Sequence, residues 1–170
     1  SIYEIGAHLN TGIYKINNYD NPISGIFKED YYKYKFFPQV TFQFSKPLYK
    51  QTRKSKQILE PKLLLVGAPN TGNDLHIPNE DSRNFDLDFP DLFNKNRLSG
   101  TDRLDSGSRV DYGLNYINVN IKKNSLTSIS LGQSYRLKKD VFGSSNSGSN
   151  NYFSNFLGEI KVNPTDLINI

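Results

Sequence analysis

The chain contains no cysteine, no methionine and no tryptophan, and only two histidines. Without cysteine there are no disulfides, thiolate metal sites or thiol nucleophiles within it. His8 and His76 lie far apart in sequence, and with no cysteine neither a metal triad nor a Ser-His-Asp site is expected. Long apolar runs are also missing. The longest, Leu63–Val66 extended by Gly67 and Ala68, falls far short of the about 20 residues of a spanning helix. No glycine-rich phosphate loop leads into a helix, and no nucleophile elbow occurs. The chain opens within a strand pattern rather than with a targeting segment and reads as a piece of a longer protein. Its net charge of +4 is modest, and the cations are spread along it. The one dense run, Lys50, Arg53, Lys54 and Lys56, reads as a solvated turn, not as a nucleic-acid face.

What is present is aromatic and strand-like: 11 Tyr and 11 Phe set in two-residue alternation. Tyr3, Ile5, Ala7, Leu9 and Ile13 alternate with Glu4, Gly6, His8, Asn10 and Gly12, which is strand periodicity. In the second run Tyr32, Tyr34, Phe36, Pro38, Val40, Phe42 and Phe44 share one phase, with a bulge or irregularity expected at Pro38. A charged turn at Lys50–Lys56 leads to a third strand, Ile58 to about Gly67. A fourth runs from Arg109 to about Lys122, and its apolar phase slips at Tyr116 and Ile117. That slip suggests a β-bulge, the alternative being that the strand leaves the apolar zone. In the fifth strand, Thr127–Lys138, Ile129, Leu131, Gln133, Tyr135 and Leu137 form one face. Ser128, Ser130, Gly132, Ser134, Arg136 and Lys138 form the other, which is expected to face water. Asp140–Asn151 reads as a flexible Ser/Gly/Asn loop, followed by a sixth strand, Phe153 to about Val162, a turn at Asn163-Pro164, and a seventh strand starting at Leu167.

Connections alternate between long (17–31, 68–108, 140–152) and short (50–56, 123–125, 163–166), the pattern of a transmembrane barrel. The fold class expected is all-β: an antiparallel meander of about seven long strands, an arc of a transmembrane β-barrel spanning residues 1–170. Tyr34, Phe36, Val40, Phe42, Ile129, Leu131, Tyr135 and Leu137 are its lipid-facing candidates.

The connection at about 68–108 is too long for an ordinary loop, since connections beyond roughly 12–15 residues are usually functional or disordered. Its aromatics argue against disorder. Phe85, Phe89, Leu92 and Phe93 are too apolar for solvent, so the loop is expected to be ordered and folded over or into the lumen. A short helical turn fits at Pro90 with Asp88 as cap. Interleaved Arg and Asp residues are expected to satisfy one another. The candidates are Arg97 and Arg103 with Asp102 and one of Asp86 or Asp88, beside Gly100. Glu80, Asp81, Asp86, Asp88 and Asp91 suggest a cation site, but their spacing and interleaved bases favour Arg–carboxylate pairing.

These motifs carry a resemblance. The acidic Asn/Asp/Ser segment before Leu92 and Phe93, the Gly-x-Asp-Arg of Gly100, Asp102 and Arg103, the core Tyr112–Leu114, and the Gly-Gln-x-Tyr of Gly132, Gln133 and Tyr135 occur in that order. Over about residues 58–139 the chain resembles the LPS-assembly outer-membrane protein family, LptD, also called organic solvent tolerance protein. The resemblance implies a Gram-negative outer-membrane location and a share in assembling lipopolysaccharide into the outer leaflet. The partners it implies are lipopolysaccharide, an outer-membrane lipoprotein and periplasmic transport components; no catalysis, cofactor, metal or nucleic acid is implied. A general porin or receptor barrel and a soluble ligand-binding β-barrel share the strand periodicity and stand as alternatives.

Overall fold

The computed structural model describes residues 1–19, 29–70, 73–74, 77–82, 86–139 and 146–164. Its strands are β1 Ile2–Tyr19, β2 Glu29–Ser45, β3 Leu48–Gln51, β4 Ser55–Gly67, β5 Arg109–Asn120, β6 Ser125–Arg136 and β7 Leu157–Asn163. One helical turn, α1 Phe89–Leu92, interrupts the connection between β4 and β5. The strands form one antiparallel sheet in the order β1-β2-β4-β5-β6-β7, with β3 paired to β4. With β2 and β3 lying end to end along β4, the sheet is an all-β meander. The expected strand beginning at Leu167 falls outside the described residues.

β1 and β2 hold 18 and 17 residues, which at about 3.3 Å per residue span more than 50 Å. Their ladder runs unbroken from Ile2↔Ser45 to Ile16↔Tyr31, with one irregularity between Ile16 and Tyr19. Strand therefore extends into both ends of the expected 17–31 loop. Pro38 makes no bulge: it pairs with Leu9 in regular register. Only from Val40 onward does β2 also pair with β4, so Pro38 sits where one strand edge has no ladder to interrupt. Lys46-Pro47 breaks the strand instead. β3 resumes on β4 in the register that β2 left, Ser45↔Lys62 being followed by Leu48↔Leu59.

The expected bulge at Tyr116 and Ile117 is absent. Both flanking ladders pass through in constant register, Leu59↔Tyr116 and Ile58↔Ile117 on one side, Tyr116↔Ile129 and Ile117↔Ser128 on the other. The apolar phase changes because the strand leaves the apolar zone, not because a residue is inserted.

The sheet has two unlike faces. On the open face Ile5, Tyr34, Phe36 and Leu131 are 79%, 76%, 67% and 55% exposed, with Val40, Ile129 and Leu137 also exposed. Phe42 and Tyr135 lie half-buried in the same phase. On the covered face Lys35, Phe37, Gln39, Thr41, Leu64, Val66, Arg109, Asp111, Ser130, Ser134 and Arg136 are buried. The polar face of β6, expected to meet water, instead lies beneath the chain's own long connection.

The continuous register at Tyr116 and Ile117 is testable by disulfide formation, which requires opposed Cβ atoms. In a cysteine-free full-length background, Val119→Cys with Leu126→Cys is expected to crosslink on oxidation, and Val119→Cys with Thr127→Cys is not. The reverse preference would restore the bulge.

Candidate functional site

The connection between β4 and β5 is built onto the covered face in three layers of contact. The first is apolar. Asp88 caps α1 by accepting from Asp91 N–H at 3.0 Å, and Pro90 occupies an early helical position; both suit the first turn of a helix. The turn buries Phe89 and Leu92 with Leu87 and Leu157, and Phe93 packs alongside. Phe89 and Phe93 meet edge to face, with centroids 5.8 Å apart. Gly113 and Gly132 pair across β5 and β6 and leave the depression that receives this turn. A Cβ on Gly132 would come within 2.5 Å of Leu92 Cδ2, and one on Gly113 within 3.1 Å of Phe93 Cζ.

The second layer is a buried charge cluster. Arg109 and Arg136 face one another across the β5–β6 ladder, and Asp111 faces Ser134. Two cations directly opposed are unfavourable unless anions separate them. Asp105 from the loop supplies one, pairing with Arg109 Nη1 at 2.9 Å, with Arg97 Nε at 2.6 Å and with Arg136 Nη2. Asp111 accepts from Arg109 Nε at 2.8 Å and from the Ser134 hydroxyl, and stands 3.5 Å from Arg97 Nη1. Backbone carbonyls add to the shell. Arg109 Nη2 donates to the carbonyls of Asn94 and Lys95, and Arg136 Nη1 to that of Ser106. Burial acting alone would raise the Asp105 carboxyl, but Arg109, Arg97 and Arg136 outweigh it and hold the group well below the usual carboxylate range.

The third layer stitches the loop to itself and to the opposite strands. Asp81 accepts from Asp102 N–H at 3.0 Å and Thr101 N–H at 2.8 Å, while Asp102 accepts from the Glu80 and Asp81 N–H groups. The first two bonds hold the Asp81 carboxyl far below its ordinary range. Gly100 makes this staple possible: its φ is +83°, and a Cβ there would lie 2.5 Å from Asp81 Oδ1. Toward β2, Lys35 donates to the carbonyls of Thr101 and Asp102 and Gln39 to that of Lys95. Toward β1, Lys95 pairs with Glu4 at 2.6 Å. Clefts remain along β1. One of about 340 Å³ is lined by His8, Phe37, Gln39, Lys95 and Thr101, and one of about 670 Å³ by Tyr14, Ile16, Asn79 and Glu80.

The sequence candidates thus separate. Arg97 is in the buried cluster. Arg103 lies outside it, its N–H donating to Ser82 Oγ. Asp102 and Gly100 belong to the staple with Asp81, Asp88 is a helix cap, and Asp86 is exposed. Of the carboxylates weighed as a cation site, Asp81, Asp88 and Asp91 accept hydrogen bonds within the loop, and among the described residues no group of three or more His, Cys, Asp or Glu is placed to hold a metal. Asp105, Arg109, Asp111 and Arg136 are not among the sequence candidates, although Arg109 and Asp111 share one phase of β5 and meet Arg136 once β5 is paired with β6. Asn146–Asn151, read as part of a flexible loop, makes a tight turn at Gly148, φ +68°, closed by Asn155 N–H on the Ser147 carbonyl. It hooks onto β6 through Ser154 and the Ser134 carbonyl. Phe85 and residues 140–145 fall outside the described residues.

Removing one partner from a buried ion cluster costs about 3–5 kcal/mol. Arg97→Ala or Asp105→Asn is therefore expected to expose residues 86–104 to protease in the folded full-length protein, whereas Asp86→Asn is not. Gly132→Ala is expected to loosen the same segment by crowding Leu92, costing about 1–3 kcal/mol. Asp105 and Asp81 both have depressed folded values. Their stabilisation is thus complete above the unfolded value of about 4 and is lost as pH falls below it. Protease protection is expected to hold from pH 7 to about 5 and to decline below 4, and Asp105→Asn should remove part of that decline.

The LptD family, described as LPS transport system D, matches residues 6–170. An LPS-assembly protein LptD from Chromobacterium violaceum is 33% identical over 85 residues, which is 49% of this chain and 11% of that protein. The match therefore spans a small part of the relative's length. With the family matched over nearly the whole chain, on an antiparallel sheet of the expected class, the chain belongs to the LptD family.

Proposed function

We propose that this chain is part of the wall of an outer-membrane barrel that assembles lipopolysaccharide into the outer leaflet, and that residues 68–108 line its lumen and control access through it. The observation that carries the reading is the opposition of the two faces. The open face presents Ile5, Tyr34, Phe36, Val40, Leu131 and Leu137 to the surroundings, a patch that water tolerates poorly and lipid covers. The other face is polar at the wall and closed by the chain's own loop. A soluble ligand-binding barrel would turn its apolar phase inward, so this arrangement disfavours it. Family membership favours lipopolysaccharide transport over a general porin.

In this reading the long connections project to the cell exterior and the short turns to the periplasm. β1 and β7 are edges of the arc, to be paired by neighbouring strands of the full barrel. The protein performs no covalent chemistry. A polar interior lets the charged saccharide and phosphate groups pass, and the docked loop keeps the path shut to other solutes. Periplasmic transport components deliver the substrate, and an outer-membrane lipoprotein is the partner of the assembled barrel.

In the full-length protein Leu131→Arg is expected to impair assembly, because Arg on a lipid face near the midplane costs about 2–4 kcal/mol; loss of heat-modifiable migration reads this out. Unaltered migration would contradict a lipid-facing Leu131. Epitopes at Asn151 are expected to be reached by antibody on intact cells, and epitopes at Arg53 or Asn124 only after permeabilisation; mixed accessibility would refute the orientation. Deleting residues 80–100 is expected to admit large antibiotics and reduce surface lipopolysaccharide. A normal barrier with normal surface lipopolysaccharide would reduce the loop to a surface excursion.

A further inference from the structure

At the end of the sheet opposite the long loop, two short turns lie side by side. Ser55 pairs with Asn120 and Lys56 with Val119, and Ile121 N–H donates to the Lys54 carbonyl at 2.9 Å. Together, residues 50–56 and 120–125 carry Lys50, Arg53, Lys54, Lys56, Lys122 and Lys123 and no carboxylate. All six side chains are exposed, and they give this end of the sheet a cationic rim. The turns beneath them are ordered. Thr52 N–H donates to the Ser55 carbonyl at 2.8 Å, and Thr52 Oγ1 accepts from Ser55 N–H at 3.0 Å. Asn120 Oδ1 accepts from the N–H groups of Lys122 and Lys123 at 3.1 Å each. Cations on pre-set backbone lose less entropy on binding an anion than cations on a floppy loop.

Beside this rim is an apolar groove of about 270 Å³, lined by Leu48, Tyr49, Leu59 and Tyr116 with Lys50 and Gln57. Leu59 is paired both to Leu48 and to Tyr116, so the groove floor belongs to the same rigid ladder as the turns. Lys50 belongs to both features, linking the cationic rim to the apolar groove. Tyrosines with an apolar ring and a polar tip suit the boundary between hydrocarbon and headgroup.

We infer that this corner is a binding site for an anionic glycerophospholipid, its phosphodiester held by Lys50 and the cations of the two turns and the start of an acyl chain lying in the groove between Leu48, Leu59 and Tyr116. Charge alone would suit any polyanion; the apolar groove continuous with the charge selects a lipid. The inference rests on the membrane reading given above, because the groove must open to lipid. It adds a specific lipid contact at the short-turn end, in the leaflet away from the long loops.

The test uses the full-length protein in a neutral detergent, given equimolar phosphatidylglycerol and phosphatidylcholine and analysed by native mass spectrometry. Each cation near an anionic lipid surface favours it by a few-fold, so phosphatidylglycerol is expected to be retained over phosphatidylcholine by about tenfold or more. The combined variant Lys50→Gln, Arg53→Gln, Lys54→Gln, Lys122→Gln is expected to bring that ratio close to one, while Lys138→Gln with Lys139→Gln, at the opposite end, leaves it unchanged. Inorganic phosphate at the lipid concentration is expected not to compete, because it cannot occupy the groove. Equal retention of the two lipids, an unchanged ratio in the combined variant, or displacement by phosphate would each overturn the site. Heat-modifiable migration of every variant reports the barrel separately, so equal retention of the two lipids by a correctly folded wild-type barrel, or a preference that persists in the correctly folded combined variant, counts against the site and not against the membrane reading.

Discussion

Asp105 is the residue on which the arrangement turns. β5 and β6 place Arg109 opposite Arg136 on the covered face, a pairing that the ladder would resist without a counter-anion. The loop delivers that anion and a third cation, Arg97, to the same spot. The opposed arginines of the wall therefore share their anion only when the loop docks, and Asp105 completes its ion pairs only on the wall. Because these side chains are almost wholly buried, the cost of separating them is large compared with any single surface contact. The glycine pair Gly113 and Gly132 adds shape to charge by opening room for Phe89 and Leu92. Together they fix one position for the middle of a connection whose length alone would allow many.

Two faces with opposite demands follow. Polar and charged groups that would be expensive in lipid are gathered under the loop, and the alternating residues of the same strands are left apolar and open. In the function proposed above, lipid covers the open side and a polar path runs along the other. The clefts along β1 show that the loop does not fill the covered face evenly: its apolar and buried charged contacts gather on β5, β6 and β7, while hydrogen bonds and the ion pairs Lys95–Glu4 and Asp74–Lys33 tie it to β1 and β2.

Much of the fold was legible in the sequence because period two is a local signal. The alternations of β1, β2 and β6, the short turns and the single helical turn capped by Asp88 could all be read from neighbours a few residues apart. Two features also need the pairing partners. A proline in an alternation suggests a bulge or irregularity, yet Pro38 stays in register because β2 is paired on one side only there. At Tyr116–Ile117 the two ladders decide between a bulge and the alternative of a strand leaving the apolar zone, in favour of the alternative. The charge cluster was only partly visible, because Asp105, Arg109, Asp111 and Arg136 are assembled by strand register and by a loop returning over the wall. Arg97 was picked out from its setting among carboxylates, whereas Asp102 and Gly100 proved to serve the Asp81 staple. No local pattern distinguishes a carboxylate that binds a backbone turn from one that binds a distant guanidinium.

Docking of the loop on the covered face is tested most directly by a crosslink between them. Leu92→Cys removes the atom that a side chain at position 132 would meet, and Gly132→Cys supplies the partner. In otherwise cysteine-free full-length protein in the outer membrane, oxidation is expected to join positions 92 and 132 and to leave Leu92→Cys with Leu131→Cys, on the open face, unjoined. Linkage to 131 in place of 132, or to neither, would contradict the account.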